Sequence, residues 1–423
     1  MGSSARSDVL ELVQAKGLRS VYQPIVDLDT GAVVGFEALT RGPVGHPLER
    51  PDRMFEVARA DRCVGELDEA CRWSAIDGAV AGGLRTPWSL FVNVEPSGVD
   101  WMMKRAAASS ERAQARRRVA RDLSLILEIT ERDLLLNPPA LLRYVDQVRS
   151  WGYGIALDDV GAERASLALL PLLRPDVIKL DLSLVQGQPG SDVAEVVSAV
   201  NAEAERSGAL ILAEGIETPQ HREFARGLGA RLGQGWLLGR PGPLPDLSAV
   251  PTPAPGTIPV ERRTGLVLDA SPFEIAWAHS SPRTARRELL VEIGEHLERA
   301  ALSLGHSAVV VAAMQHVSSF TPATAQRYAE LSDTVAFAAV LGVGMPAQPL
   351  PGLRGGSLAA TDPVVGEWDI AVIGPHFGAA LVSRDLGDSG PDATRRFDYV
   401  LTHDRDVAVA VAAALISRVS RAP

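Results

Sequence analysis

Cysteine is scarce in this chain. Two occur in 423 residues, Cys63 and Cys71 in "CVGELDEAC", and no histidine stands at a spacing that would complete a zinc finger with them. The stretch reads as helix, on which a pair eight apart closes a disulfide only if the helix ends bend, so reduced thiols in a cytoplasmic protein are expected. Positive charge is short as well: the formal net charge of −10 argues against a polybasic binder of duplex DNA, and no sequence-specific nucleic-acid partner is expected. Long apolar runs are missing. "SAVVVAAM" and "VAVAVAAALI" are too short to cross a bilayer as helices, so no membrane insertion is expected. The opening "MGSSARSDVLELVQAKG" has no apolar core before its first acids, so no secretory leader is expected there, and Arg6 stands where an acylation signal needs Ser or Thr.

A length of 423 residues exceeds what one core usually organises, so two domains are expected. Between Pro241 and Pro259, "PGPLPDLSAVPTPAPGTIP" carries a proline every few residues, which excludes a long helix and reads as an extended, semi-rigid spacer. The division expected is 1–242, a linker over 243–263, and a second domain over 264–423. Upstream of the linker, strand-length apolar runs alternate with amphipathic helical segments: "VYQPIVDL", "VVGFEALT", "LFVNV", "LILEIT", "GIALDDV", "VIKLD", "LILAEGIE" and "LGQGWLLG". This pattern predicts an α/β fold, a TIM-like (β/α)8 barrel. "DLDTG" between the first two runs is a hairpin signal, so one of them is expected to run antiparallel.

Nearly every run ends in an oxygen donor or a lysine: Glu37, Asn93, Glu128, the pair Asp158 and Asp159, Lys179, Glu214, with Gln234 in the eighth. In a barrel these ends converge on one face, where such folds carry their chemistry. Carboxylates crowded there repel one another unless positive charge sits among them. An all-oxygen set of Glu, Asn and Asp suits hard cations such as Mg²⁺ or Mn²⁺, and adjacent aspartates suit a carboxylate bridging two ions. Two such ions activate water and stabilise a leaving oxygen in phosphodiester hydrolysis, and they make an acidic cleft hospitable to an anionic substrate.

The ordered strings "FEALTR", "VNVEPS", "LEITE", "ALDDVGA", "IKLD", "AEGIET" and "GQGWLLGRP" resemble the EAL domain from about Val21 to Pro241. The resemblance implies a phosphodiesterase that opens cyclic di-GMP to linear pGpG with two Mg²⁺ or Mn²⁺ ions. By motif it implies Glu37, Asn93, Glu128 and Asp158 as ligands of one ion, with Asp158 bridging and Asp159 on the second. It makes Lys179 the lysine that contacts the nucleophilic water and Glu214 a base or second-metal partner. Arg41 matches the arginine that holds the ligand's phosphate, a task suited to a guanidinium fork. Gln234 and Glu217 match further polar positions, and Glu131 the glutamate that steadies the loop after the aspartates. A homodimer through the barrel is implied by the same analogy.

That loop departs from the family's DDFGxGYSS: "DDVGAERAS" has Val160 for the aromatic and Glu163-Arg164-Ala165 for Gly-Tyr-Ser. Losing the glycine stiffens the turn and losing the aromatics removes packing. A second reading therefore stands beside the enzyme, a catalytically silent cyclic di-GMP receptor that signals through a protein partner; a third uses both domains only as interaction surfaces.

From about Thr264 onward, "FEIAWAH", "SAVVVAAM", "TVAFAAVLG", "EWDIAVIG", "AALVSRDL" and "FDYVLTHD" read as strands, with a helix from about Arg283 to Leu304 and another at the end. "FTPATAQRYAEL" and "EWDIAVIGPHFGAALVSRDLGDSGPDATRRFDYVLTHDRD" resemble the DICT domain, which implies a smaller α/β sensory module regulating the barrel in response to an unnamed signal. His376, His403, Asp404 and Asp406 follow no metal-ligand spacing and read as turn residues; Trp368 and Phe377 read as core. No cysteine is present there for covalent attachment of a chromophore.

Overall fold

Each of the eight apolar runs becomes a strand of one closed barrel: β1 (Arg19–Asp27), β2 (Val33–Arg41), β3 (Ser89–Val94), β4 (Ser124–Thr130), β5 (Gly154–Val160), β6 (Val177–Leu180), β7 (Leu210–Ala213) and β8 (Leu232–Gly233), hydrogen-bonded in sequence order. The computed structural model describes residues 8–95, 122–130, 137–162, 165–254, 256–260, 267–389 and 391–420. β1 runs antiparallel to both of its neighbours, β2 and β8, and the other pairings are parallel. The expected hairpin joins β1 and β2. Asp27 accepts the backbone N–H groups of Asp29 and Thr30, and Gly31 takes a φ of 73°, which glycine adopts without a Cβ clash.

Helices α1 (Asp8–Gln14), α2 (Pro51–Ala60), α3 (Val64–Ala81), α4 (Pro138–Ser150), α5 (Ala165–Leu173), α6 (Leu182–Gln186), α7 (Ser191–Ser207) and α8 (Pro219–Gly227) accompany these strands. Cys63 and Cys71 are both buried, and no disulfide joins them. Inside the barrel the strands contribute one apolar residue each: Ile25, Val34, Phe91, Ile126, Ala156, Val177, Leu212 and Leu232. A ninth residue completes this layer, Ile258 of the proline-rich segment, which is 7% exposed.

The segment is thus extended, as its prolines dictate, but it is not a free spacer. Leu244, Leu247 and Val250 pack on the main core and Val260 follows Ile258 against the barrel floor. Ile258→Ala should lower stability by about 2 kcal/mol or more, the usual cost of deleting a buried isoleucine side chain. Urea unfolding checks this, and an unchanged midpoint would mean that Ile258 merely lies alongside the barrel.

The second unit is a seven-stranded mixed sheet in the order β12-β11-β10-β13-β14-β15-β9. Its strands are β9 (Arg283–Arg286), β10 (Val309–His316), β11 (Phe337–Val343), β12 (Arg354–Ser357), β13 (Trp368–Ile373), β14 (Gly378–Asp385) and β15 (Arg396–Thr402). Leu290 and Leu297 of α10 (Arg287–Leu304), with Tyr328 and Leu331 of α11 (Pro322–Thr334), cover one face; α9 (Pro272–Trp277) and α12 (Arg405–Ile416) lie in the core of the other.

Two expectations fail here. "FEIAWAH" is helix α9, because Ser271 Oγ caps it by accepting the Glu274 N–H and Pro272 opens it, signals that outweigh a short apolar run. The helix expected from Arg283 begins at Arg287, the four residues before it forming the edge strand β9. Strand β12, "RGGS", carries no apolar signal that could have announced it.

Candidate active site

Side chains on one face of a strand recur every second residue. Two residues beyond the apolar layer, therefore, the same strands point inward again: Phe91 is followed by Asn93, Ile126 by Glu128, Ala156 by Asp158, Val177 by Lys179, Leu212 by Glu214 and Leu232 by Gln234. β1 runs the other way, so its polar partner precedes Ile25 and is Gln23, paired across the ladder with Glu37 of β2. The barrel mouth is a polar layer stacked directly on an apolar one.

Lys179 stands at its centre, 1% exposed and one of three lysines in the chain, with Lys16 and Lys104. Its Nζ lies 2.7 Å from Glu128 Oε1, 2.9 Å from Asp158 Oδ1, 2.8 Å from Glu214 Oε1 and 4.0 Å from Glu37 Oε2. Burial opposes its charge, but these four carboxylates outweigh burial and hold the ammonium pKa well above the ordinary lysine value. Glu37 is buried too. It nonetheless stays below the usual carboxylate range, because Lys179, Gln234 Nε2 at 2.6 Å and Asn93 Nδ2 at 2.9 Å favour the ionised form.

Glu128 and Glu214 move the other way. Burial and then the charge of Glu37 drive Glu128 well up, while burial, together with Asp158 and Glu37, carries Glu214 to about 8 against the pull of Lys179. One ammonium does not balance the carboxylates around it. Glu128 Oε2 is buried and accepts no hydrogen bond from the described residues.

Asp159 joins the cluster through a backbone irregularity. Consecutive strand residues face opposite sides, but the β5–β6 pairing shifts register between Leu157 and Val160, and Asp159 takes a φ of 56°. Aspartate tolerates this left-handed conformation better than most residues. The result brings oxygens of Asp158, Asp159 and Glu214 within 4.8 Å of one another, a group able to hold a cation among the described residues. Excess carboxylate charge, an unsatisfied buried carboxylate oxygen and an all-oxygen donor set fit hard divalent cations.

Arg41 ends β2, half-buried, beside a cavity of about 370 Å³ that opens off the cluster and is also lined by Glu37, Phe55, Arg72, Asn93 and Thr130. Gln234 bridges Glu37 and Gln23, donating to Gln23 Oε1 at 3.2 Å. Glu217 is not brought into the cluster; it lies exposed at the start of the turn before α8. Glu131 lies outside the described residues, as do Glu163 and Arg164 of the altered loop. Two buried polar residues escaped sequence reasoning. Gln23 was legible as the alternate neighbour of Ile25, whereas Arg72, paired with Asp68 at 2.7 Å, sits on the buried face of α3 with nothing in the sequence to mark it.

In the second unit His376, His403 and Asp404 lie outside helices and strands, as expected, whereas Asp406 belongs to the first turn of α12. Asp404 caps α12 by accepting the N–H groups of Asp406 and Val407, Asp406 pairs with arginines, and His376 bonds to Ser198.

A closed eight-stranded barrel with acids and one lysine at its mouth, joined to a smaller α/β unit, defines a two-part chain with a cation-ready barrel site. Residues 6–241 match the EAL domain, more than half of the chain, and the protein belongs to that family; residues 273–386 match the DICT domain, a sensory domain in diguanylate cyclases and two-component systems. Among curated relatives, the bifunctional diguanylate cyclase/cyclic di-GMP phosphodiesterase MucR of Pseudomonas aeruginosa is 33% identical over 57% of this chain, and the cyclic di-GMP phosphodiesterase RocR of the same organism 32% identical over 56%. The matches span 36% and 60% of those relatives' own lengths. A solved PaMucR phosphodiesterase in complex with c-di-GMP is 29% identical, with a TM-score of 0.45 over 56% of this chain and 96% of that one. No helix among the described residues is long and apolar enough to cross a membrane.

Proposed function

We propose that this chain is a cyclic di-GMP phosphodiesterase that hydrolyses one phosphodiester to give linear pGpG, and that the segment after the proline-rich linker regulates it. The observation that carries this reading is Lys179, buried among Glu128, Asp158 and Glu214 at 2.7–2.9 Å with Asp159 alongside. Glu37, Asn93, Glu128, Asp158 and Asp159 would hold two Mg²⁺ or Mn²⁺ ions, which supply an acidified water and charge stabilisation at the phosphate when bound. Lys179 holds the carboxylates in register with all three of its N–H groups, and one of these would turn to the attacking water once cations neutralise the carboxylate it now serves. Glu214, which burial raises to about 8, receives the water's proton in its ionised form, the form that the Lys179 ammonium at 2.8 Å favours. Arg41, at the rim of the adjoining cavity, pairs with a phosphate of the substrate. A barrel-mediated homodimer and a cytoplasmic location belong to the same proposal.

The altered loop favours a second reading, a cyclic di-GMP receptor without turnover. Incubating the purified chain with cyclic di-GMP and Mn²⁺ and following pGpG by chromatography separates the two. Product that disappears in Glu37→Ala, which removes the carboxylate held by Asn93 and Gln234, is the expected result. Ligand binding without product would sink the enzyme and leave the receptor.

A further inference from the structure

Helices α5 and α12 differ from their neighbours in having no polar face. α5, "ASLALLPLL", buries Leu167 through Leu170 as well as Leu172 and Leu173, and α12, "RDVAVAVAAALI", buries every residue from Val407 to Ile416 except Ala410. A helix apolar all round needs cover on all sides. Each supplies part of the other's: α12 touches α5 and α4, the short turn Gly305–Ser307 touches α5, and the buried side chains of α5 and α12 belong to one continuous core.

Polar contacts fix this apolar seam at its edges. Asp406, in the first turn of α12, receives Arg174 from just past the end of α5 at 2.9 Å and Arg206 from the last turn of α7 at 2.8 Å. Arg206 is itself held by the buried Glu203, and Arg405 lies within electrostatic reach of both. Ser198 of α7 meets His376 at 3.2 Å, and Arg143 of α4 donates to the Ser417 carbonyl at 3.3 Å.

The gripped helices lead straight to the paired aspartates. α5 starts six residues after Asp159, and the intervening Gly161, at a φ of 99°, packs so tightly that an added Cβ would lie 2.4 Å from Leu184 of α6 and 3.2 Å from Val196 of α7. The residue two positions past Asp159 is therefore packed against α6 and α7, and α7 is one of the elements that the carboxy-terminal unit clasps.

We propose that the Asp406–Arg174/Arg206 clasp and the α5–α12 seam couple the sensory unit to the cation site, so that docking of α12 holds the Asp158–Asp159 bulge in its ligating shape and loosening of α12 weakens cation binding. This rests on the acidic cluster being a cation site, not on turnover. Asp406→Arg places a third cation against Arg174 and Arg206, and Arg174→Glu with Arg206→Glu breaks the same clasp from the barrel side. In the full chain, each change should weaken Mn²⁺ affinity by calorimetry about tenfold, within the usual range of coupling between sites. Amide exchange in α5 should quicken, and Asp406→Glu, which keeps the carboxylate for both arginines, should leave both readouts near wild type. Mn²⁺ affinity that stays within twofold in the charge-reversed variants overturns the proposal, whether or not α5 loosens. Wild-type protein that binds Mn²⁺ but releases no pGpG would sink the phosphodiesterase reading alone, leaving the coupling to be decided by the affinity shift.

Discussion

Lys179→Met should reduce pGpG formation by on the order of a hundredfold or more, the usual cost of losing a positioned electrostatic group. Methionine keeps much of the side chain's volume and apolar stem but removes the charge. Three carboxylates that the ammonium holds at 2.7–2.9 Å are then left facing one another in a site where Lys179 and Glu128 are almost wholly shielded from water. Removing one partner of a buried ion pair typically costs about 3–5 kcal/mol, because the remaining charge is uncompensated. The variant should accordingly unfold at lower temperature than wild type in EDTA. Mn²⁺ should narrow that difference, since cations among the carboxylates replace part of the missing positive charge. Thermal unfolding with and without Mn²⁺ reads the electrostatic claim, and product release reads the catalytic one. Near-normal turnover would remove Lys179 from the chemistry. Equal stability in EDTA would show that the ammonium does not hold the cluster together.

Much of this site was legible in the sequence because a barrel converts strand ends into neighbours. The strings "FVN", "ILE", "ALD", "VIK", "LAE" and "LGQ" all place a polar residue two positions after a small or apolar one, and the fold turns that period of two into an apolar layer with a polar layer above it. Gln23 follows the same rule read backwards on the antiparallel β1. Asp159 does not follow it: alternation alone would turn it away from Asp158, and the register shift with a positive φ that brings it back is a property of the β5–β6 pairing, not of any local signal.

The other unread features are long-range in the same sense. Ile258 lies in a proline-rich run whose composition speaks only of extension, yet it completes the barrel floor. The all-apolar α5 and α12 each announce that something must cover them, but their sequences do not say that they cover each other. Ser271 and Pro272 do mark the start of α9 locally, and that cap outweighs the short apolar run after them, which by itself reads equally as strand.

The paired aspartates give the second large effect. Asp158→Asn should weaken Mn²⁺ binding and lower turnover by on the order of a hundredfold or more, because it removes a buried carboxylate that pairs with Lys179 and would help to hold the cations. Asp159→Asn is the more discriminating change. Asparagine tolerates the left-handed backbone that Asp159 adopts, so the bulge should persist while one negative ligand is lost. The expected result is a fall in calorimetric stoichiometry from two Mn²⁺ ions towards one, with thermal stability in EDTA held or raised as a repelling charge leaves the cluster. Asp159→Val tests the backbone instead, because a β-branched residue is strained at a φ of 56° and should pull Asp158 out of place as well. If Asp159→Asn kept two ions and full turnover, the bulge would be a structural kink and the cation site would be built without it.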